Sequence, residues 1–564
     1  MWLINTVTLE LEEFFEPAIP SYAILSHRWS KHETTFKDYE KGRKWDSLGH
    51  RKTVEFCAVA RSRGHLYAWI DTVCIDKRSS SELSEAINSM FRWYQMSAEC
   101  LVHLADVNFT GLPQLSSTLS QQHYNLLSRS DWFTRGWTLQ ELIAPRCVLF
   151  FTHEWVLFGC KSTANRTING VRANDFALTD LAGDLSSITS IPKELLTFQW
   201  PLEEYTIATR VKWLANRRLT RIEDQAYCAL GLFGINMSLL YGEGKRAWIR
   251  LQEEIIRTTS DESILAWPFG YGSTSALLSP APAWFSYISP NLSTVYGLRP
   301  LYTITNNGLR WDLKSGNALL SKIDLNSLPR RQRRLERMDG DPRVLMLPLA
   351  CLSGEQPGYQ EYLLLIELSC GHFMRVPNPD SLRLPLPLAD LICQGEITIP
   401  CRLEHDLTIF VHLRSDQSKG CIFACNQLLL YKDLALAVEQ QFHPAIAAAI
   451  QAAQQPPSAQ NDRGQQHCST ELIAIAGGTE AARFNSMQIS PAKTSSEVNH
   501  HQVGGMRRMI DCVFPCCHRK GNYGFNRRDK MTDHMREVHG FRDHLTAITA
   551  ESKPSMPKSP LVGQ

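Results

Sequence analysis

The chain has 564 residues, 43% hydrophobic and 21% charged, enough for about two to four domains with ordinary cores. With 59 Lys and Arg against 57 Asp and Glu, the formal net charge is +2, which excludes a global field toward nucleic acid or an anionic membrane. The 16 cysteines lack a disulfide-framework spacing outside a C-terminal group, no apolar run reaches the roughly eighteen residues of a membrane span, and MWLINTVTLELEEFF lacks the order of a signal peptide, so a cytosolic location, or a nuclear one, is expected.

Tyr22 to Ser26 reads as a first strand, ending in the polar and aromatic cluster Ser26-His27-Arg28-Trp29. Leu48 to Arg63 suits a helix, stopped at Gly64. Tyr67 to Ile70 is a short apolar run of buried-strand character, followed by Asp71, Asp76, Lys77 and Arg78. Ser79-Ser-Ser-Glu82 fits a capping box, in which a hydroxyl and a glutamate reciprocally satisfy free backbone N–H groups. Leu83, Ile87, Met90, Phe91 and Tyr94 then give one apolar helix face, and Leu101 to Leu104 another strand. This alternation predicts a parallel α/β layer, with polar residues gathered at the carboxyl ends of its strands, where such sheets bind ligands.

Gly111 to Gln122 reads as a loop, Trp132 to Ile143 as a helix, and Cys147–Phe151 with Trp155–Phe158 as a strand pair. Residues 160 to 200 are weakly patterned; Tyr205–Asn216, Glu223–Phe233 and Gly244–Thr258 read as helices. Short apolar runs at 300–304, 318–324, 344–351, 361–368, 396–401 and 407–413 indicate an all-β module. Ala445 to Ala453 is an alanine-rich helix end. The expected boundaries are an α/β domain at 1–268, a β-rich domain at 269–453, a disordered linker at 454–505, a small ββα zinc finger at 506–545 and a disordered tail at 546–564.

Four ordered blocks carry a resemblance. They are YAILSHRW at 22–29, WID-x-x-CIDK with the helix after it, WFTRGWTLQELIAP at 132–145, and the two segments within 221–267. Together they resemble the heterokaryon-incompatibility (HET) domain of filamentous fungi. The resemblance implies a TIR-like fold on a mostly parallel sheet, and a role in non-self recognition that ends in cell death. It also implies an unidentified protein partner and a homo-oligomer.

Some TIR domains cleave the nicotinamide–ribose bond of NAD with a glutamate near a helix start, so the resemblance makes NAD a candidate substrate. Such chemistry asks for a carboxylate beside a developing oxocarbenium ion and an aromatic wall. Glu82 is the first positional candidate and Glu85 the second, with Trp29 or Trp69 as the wall. Ser26, His27, Asp71 and Asp76 complete the polar rim, and Arg135, Trp137 and Glu141 are expected to close it or pair with Arg28. Glu82 also reads simply as a cap, and the 132–145 block as ordinary helix packing. Cys74 near His27 suggests a thiol nucleophile, against the commoner reading of a small buried residue. No glycine-rich dinucleotide fingerprint is present, and Gly242-Glu243-Gly244-Lys245 has the wrong spacing for a phosphate loop and reads as a turn. The arginine run at 330–337 reads as a solvated loop or an import or nucleic-acid patch.

The C-terminal group has ligand spacing. Four residues separate Cys512 from Cys517, four separate His534 from His539, and Phe525 and Met531 supply a finger's small core. Cys516 is an alternative to Cys517, and the interval of sixteen residues to His534 exceeds the usual twelve or so. Zinc would supply the folding energy so small a core lacks. Arg527, Lys530 and Asp533 fall at base-contacting positions, but one finger covers only about three base pairs, so nucleic-acid binding through it is weak. Two functions are open: an incompatibility effector, or a zinc-finger regulator whose α/β region only mediates interactions.

Overall fold

The computed structural model describes residues 1–43, 46–109, 119–162, 167–168, 171–172, 179–268, 277–288, 292–294, 302–314, 318–322, 343–354, 359–369, 371–376, 384–385 and 407–411, with 442 and 447. All of these lie in one unit, Met1–Pro456. The arginine run, the strand at 396–401, the linker, the finger and the tail lie outside the described residues.

The first sheet holds β1 (Trp2–Asn5), β2 (Leu11–Glu13), β3 (Tyr22–His27), β4 (Tyr67–Trp69), β5 (Glu99–His103), β6 (Cys147–Phe151) and β7 (Leu157–Ser162), with Thr179–Asp180 on its margin. Its order is Thr179–Asp180, β7, β6, β5, β3, β4, β1, β2. The inner strands β6, β5, β3 and β4 are parallel. Every residue of β3, β5 and β6 is buried, as parallel strands covered on both faces require. Both margins carry antiparallel pairs, β1 with β4 and β2 and β7 with β6, while Thr179–Asp180 lies parallel to β7. The sheet is therefore mixed, with a parallel centre and the antiparallel hairpins β1–β2 and β6–β7, which need no crossover, toward its two sides.

The crossovers are α1 (Phe36–Glu40) and α2 (Leu48–Ser62) between β3 and β4, and α3 (Ser80–Met96) between β4 and β5. Ser47 caps α2 by accepting from the His50 N–H, and Gly64, with φ +88°, takes the left-handed turn after it. The capping box at α3 is half formed. Ser79 accepts from the Glu82 N–H, but the Glu82 carboxylate accepts from the Asp76 N–H at 2.9 Å, in the loop before the helix. Ala86, Ile87, Met90, Trp93 and Tyr94 form the buried face of α3.

After β5 come α4 (Gln121–Ser128) and α5 (Thr138–Ile143). The helix expected over 132–143 is broken into a 3-10 turn, Asp131–Thr134, and α5. The cause is a crossing backbone: Gly136 N–H donates to the Arg218 carbonyl, and a Cβ at Gly136 would lie 2.3 Å from Leu219 Cδ2. The strand expected at Trp155 begins at Leu157 instead, because Trp155 sits in a turn at φ +58°. Helices also occur in the stretch 160–200, at Ala182–Thr189 and Lys193–Leu196. The helix read at 223–233 is two pieces, Asp224–Tyr227 and Leu230–Phe233, and the others run Ile207–Ala215 and Arg246–Thr258.

The second sheet is built mainly on Arg343–Leu352 and Tyr359–Ser369, extended through His372–Val376, Leu407–Val411, Gly308–Leu313 and Tyr302–Thr305. It is antiparallel except where His372–Val376 meets Leu407–Val411. One buried apolar core continues through both sheets. At the junction the buried Glu262 carboxylate accepts from the Ala350 N–H at 2.6 Å. Arg375 donates to the Trp267 carbonyl at 2.6 Å with its guanidinium over that indole. No helix among the described residues is long and apolar enough to cross a membrane.

Candidate functional site

In chain order the four parallel strands run second, first, third, fourth across the sheet, so the order reverses between β3 and β5. A crevice opens at the carboxyl ends of strands at such a reversal. His27 and His103 end those two strands and stand opposite each other in register. Ser26 and His27 are consecutive on β3, so they point to opposite faces and organise two polar groups.

On one face, Lys52 from α2 reaches His27 Nδ1 at 2.7 Å and Glu33 at 2.6 Å. His27 Nε2 meets Asp71 Oδ1 at 3.1 Å, and Trp29 Nε1 donates to Asp71 Oδ2 at 2.7 Å. An ammonium has only protons to offer, so Nδ1 must accept and the ring's proton sits on Nε2, facing Asp71. A protonated His27 would set an N–H against the Lys52 ammonium, so geometry holds this imidazole neutral. Burial, then Lys52, lowers its pKa accordingly. Burial pushes Asp71 up, but its hydrogen bond from His27 and the surrounding charges and donors bring it to about 2. Asp71 is therefore an anion held by two N–H donors. His103 is also neutral: burial takes it to about 4, and it stacks on Trp155 at 4.4 Å.

Lys52→Met is expected to release this lock. His27 should then protonate more readily against Asp71, its pKa rising as the opposing Lys52 charge is lost. Nitrogen-edited NMR of the histidine rings reads this directly; an unmoved His27 titration would rule the lock out.

On the other face, Trp132 Nε1 donates to Ser26 Oγ at 2.9 Å, and Ser26 Oγ donates to Glu141 Oε2 at 2.5 Å. The indole can only donate, so the hydroxyl's single proton goes to Glu141. Glu141 is 7% exposed. Burial raises its pKa to about 8, against the Ser26 hydrogen bond and with help from the Asp71 charge. Near neutrality Asp71 is thus ionised while Glu141 mostly keeps its proton. The two carboxyls belong to separate hydrogen-bonded groups on opposite faces of β3, and burial and partners drive them in opposite directions, one pattern found at acid–base sites.

Other expected site residues fall elsewhere. Asp76 is engaged with Arg78 outside this cluster. Trp69 is fully buried against Trp93 and Tyr94 and cannot be a wall. Arg28 pairs with Asp131, not with the 135–141 block. The Arg135 carbonyl receives Arg217 at 2.8 Å. Trp137 stands at the N-cap of α5 and donates to Asp224 at 3.3 Å, whereas Glu141 accepts from Ser26. Cys74 accepts from the Ile70 N–H, and burial pushes its thiol well above the ordinary range, which removes it as a nucleophile.

Glu82 and Glu85 line a different cleft, of about 260 Å³, with Met1, Trp2, Phe15 and Trp93 among its walls. Ser26, His27, Trp29 and Asp71 are not among them. The reason is the β1–β2 hairpin, which occupies the outer side of β4 and faces the start of α3 there. The Gly242–Lys245 turn already holds an anion of its own: Glu223 accepts from the Gly242 and Gly244 N–H groups at 2.9 and 3.1 Å. Among the described residues no group of three or more His, Cys, Asp or Glu is arranged to hold a metal.

Sequence reasoning missed Lys52, Glu33, His103 and Trp132. Each lies on an ordinary helix, loop or strand end, and nothing local distinguishes it.

No solved structure matches the chain. Over 241 residues it is 42% identical to the vegetative incompatibility protein HET-E-1 of Podospora anserina, an alignment covering 42% of this chain and 16% of that protein. The chain thus spans only a small part of that relative's length. Residues 22–125, which contain β3, β4, α3 and β5, match the family model described as heterokaryon incompatibility protein (HET).

Proposed function

We propose that this chain is an effector of heterokaryon incompatibility whose α/β module breaks the nicotinamide–ribose bond of NAD and so brings on cell death after non-self recognition. The HET match and the likeness to HET-E-1 support the incompatibility role. What supports the chemistry is the placing of Asp71, held by His27 and Trp29, and of Glu141, held by Ser26, at the strand-order reversal. The C1′–N bond breaks with its electron pair passing to the nicotinamide ring, so no acid is needed for the leaving group. Asp71 stabilises the ribose cation electrostatically. Glu141, once deprotonated, takes a proton from the attacking water. Glu82 is left as the residue that ties the loop at Asp76 to α3.

The purified full chain is expected to release nicotinamide from NAD, followed by chromatography, with a rate that rises with pH through about 8 as Glu141 ionises. Glu82→Gln should retain that rate. No release under any condition would remove the enzymatic reading and leave an interaction module.

The same proposal assigns zinc to Cys512, Cys517, His534 and His539. Elemental analysis of the full chain should find one zinc per molecule, absent in Cys512→Ser. Equal metal in both proteins would overturn the assignment.

A further inference from the structure

Trp29 is a large aromatic side chain that remains 44% exposed. Its indole cannot swing freely, because Nε1 is anchored on Asp71 at 2.7 Å. One face of the ring carries the Lys77 ammonium, 3.6 Å from the ring centroid. Among the described residues Lys77 has no carboxylate within ion-pair distance; its close contact is this π face. A fixed π face with an anionic carboxylate at its edge attracts a cation; Asp71 is hydrogen-bonded by Trp29 and the neutral His27 but, among the described residues, is not paired with a cation within ion-pair distance. The chain satisfies that demand with a flexible, strongly hydrated point charge that covers little of the ring.

We propose that Trp29 and Asp71 form a binding subsite for a planar aromatic cation of the pyridinium class, and that Lys77 occupies this subsite until such a ligand displaces it. A pyridinium covers far more of the indole than an ammonium does and still places its positive charge beside Asp71. Lys77 therefore acts as an internal competitor that sets the ligand concentration at which the subsite fills. The choice of a pyridinium rests on the proposed NAD cleavage; the ring, the carboxylate and the lysine stand on their own geometry.

The test titrates the full chain with 1-methylnicotinamide, a permanent pyridinium cation, and reads tryptophan quenching together with indole–pyridinium charge-transfer absorption. Saturable binding is expected, about tenfold tighter in Lys77→Met, since the competing cation–π contact and its repulsion both disappear. Trp29→Leu should abolish it, whereas Trp29→Phe, which keeps a π face, should retain it weakened. Neutral nicotinamide should give no band. An unchanged affinity in Lys77→Met, persistence in Trp29→Leu, or an equal signal from nicotinamide would each overturn the subsite. NAD cleavage is followed in parallel: a saturable band without nicotinamide release sinks the cleavage reading and keeps the subsite, while release without a band does the reverse.

Discussion

Glu141→Gln is expected to lower nicotinamide release by about two to four orders of magnitude, the usual cost of removing a general base. The amide still accepts a hydrogen bond from Ser26, so the packing around Trp132 survives. The same variant has a second signature in stability. A folded-state pKa of about 8 means that the native protein binds the Glu141 proton more tightly than the unfolded chain, whose carboxyl titrates near the ordinary value of 4.5. The contribution is therefore whole below pH 4.5 and is lost as pH rises to about 8. Glutamine has no such dependence. Denaturation midpoints of the two proteins should nearly coincide in mild acid and separate toward pH 8, with the variant more stable by up to roughly 4 kcal/mol. Parallel curves for the two proteins across that window would show that Glu141 ionises like an exposed carboxylate, and the division of labour with Asp71 would fall.

The second large effect lies where α3 meets the short helix Leu230–Phe233. A Cβ on Gly231 would stand 2.0 Å from Phe91 Cβ and 2.4 Å from Phe91 Cγ, closer than carbon atoms approach. The neighbouring backbone has little room to yield. Asn88 on α3 donates to the Met237 carbonyl at 3.2 Å and accepts from the Met237 N–H at 3.0 Å, pinning the segment beyond that helix. Gly231→Ala is therefore expected to cost about 2–4 kcal/mol, at the upper end of overpacking changes. Adding Phe91→Gly, which removes the Cβ as well as the ring, should recover part of this loss, so the pair is less than additive. Full additivity in chemical denaturation would mean that the two side chains do not compete for one space.

What the amino-acid sequence determined by itself is the framework. The runs at Tyr22, Tyr67, Leu101 and Cys147 are apolar over strand lengths, and all four become the inner parallel strands. Ser79 announces a helix start because a hydroxyl beside a free N–H acts within one turn. These signals are local and periodic, so they survive without any knowledge of the fold. The β-rich texture beyond 300 was legible for the same reason, although Gly308–Leu313 and His372–Val376 passed unnoticed.

The site divides differently. Ser26, His27, Trp29 and Asp71 were legible as a polar rim, because they close strands whose ends are recognisable. Their partners were not. Ser26 meets Glu141 across 115 positions, and Lys52 reaches back 25 positions to His27. Such contacts join one helix face to one strand end, and no spacing in the chain encodes which helix will arrive there. Glu82 illustrates the converse. Its place after a strand and at a helix start suggested the crevice, but the β1–β2 hairpin lies on that side of β4 and draws the start of α3 into another cleft. Only the order of strands in the sheet decides which carboxylate stands at the reversal. That order is set by long-range burial of β3, β5 and β6 on both faces, a property of the assembled core rather than of any one segment.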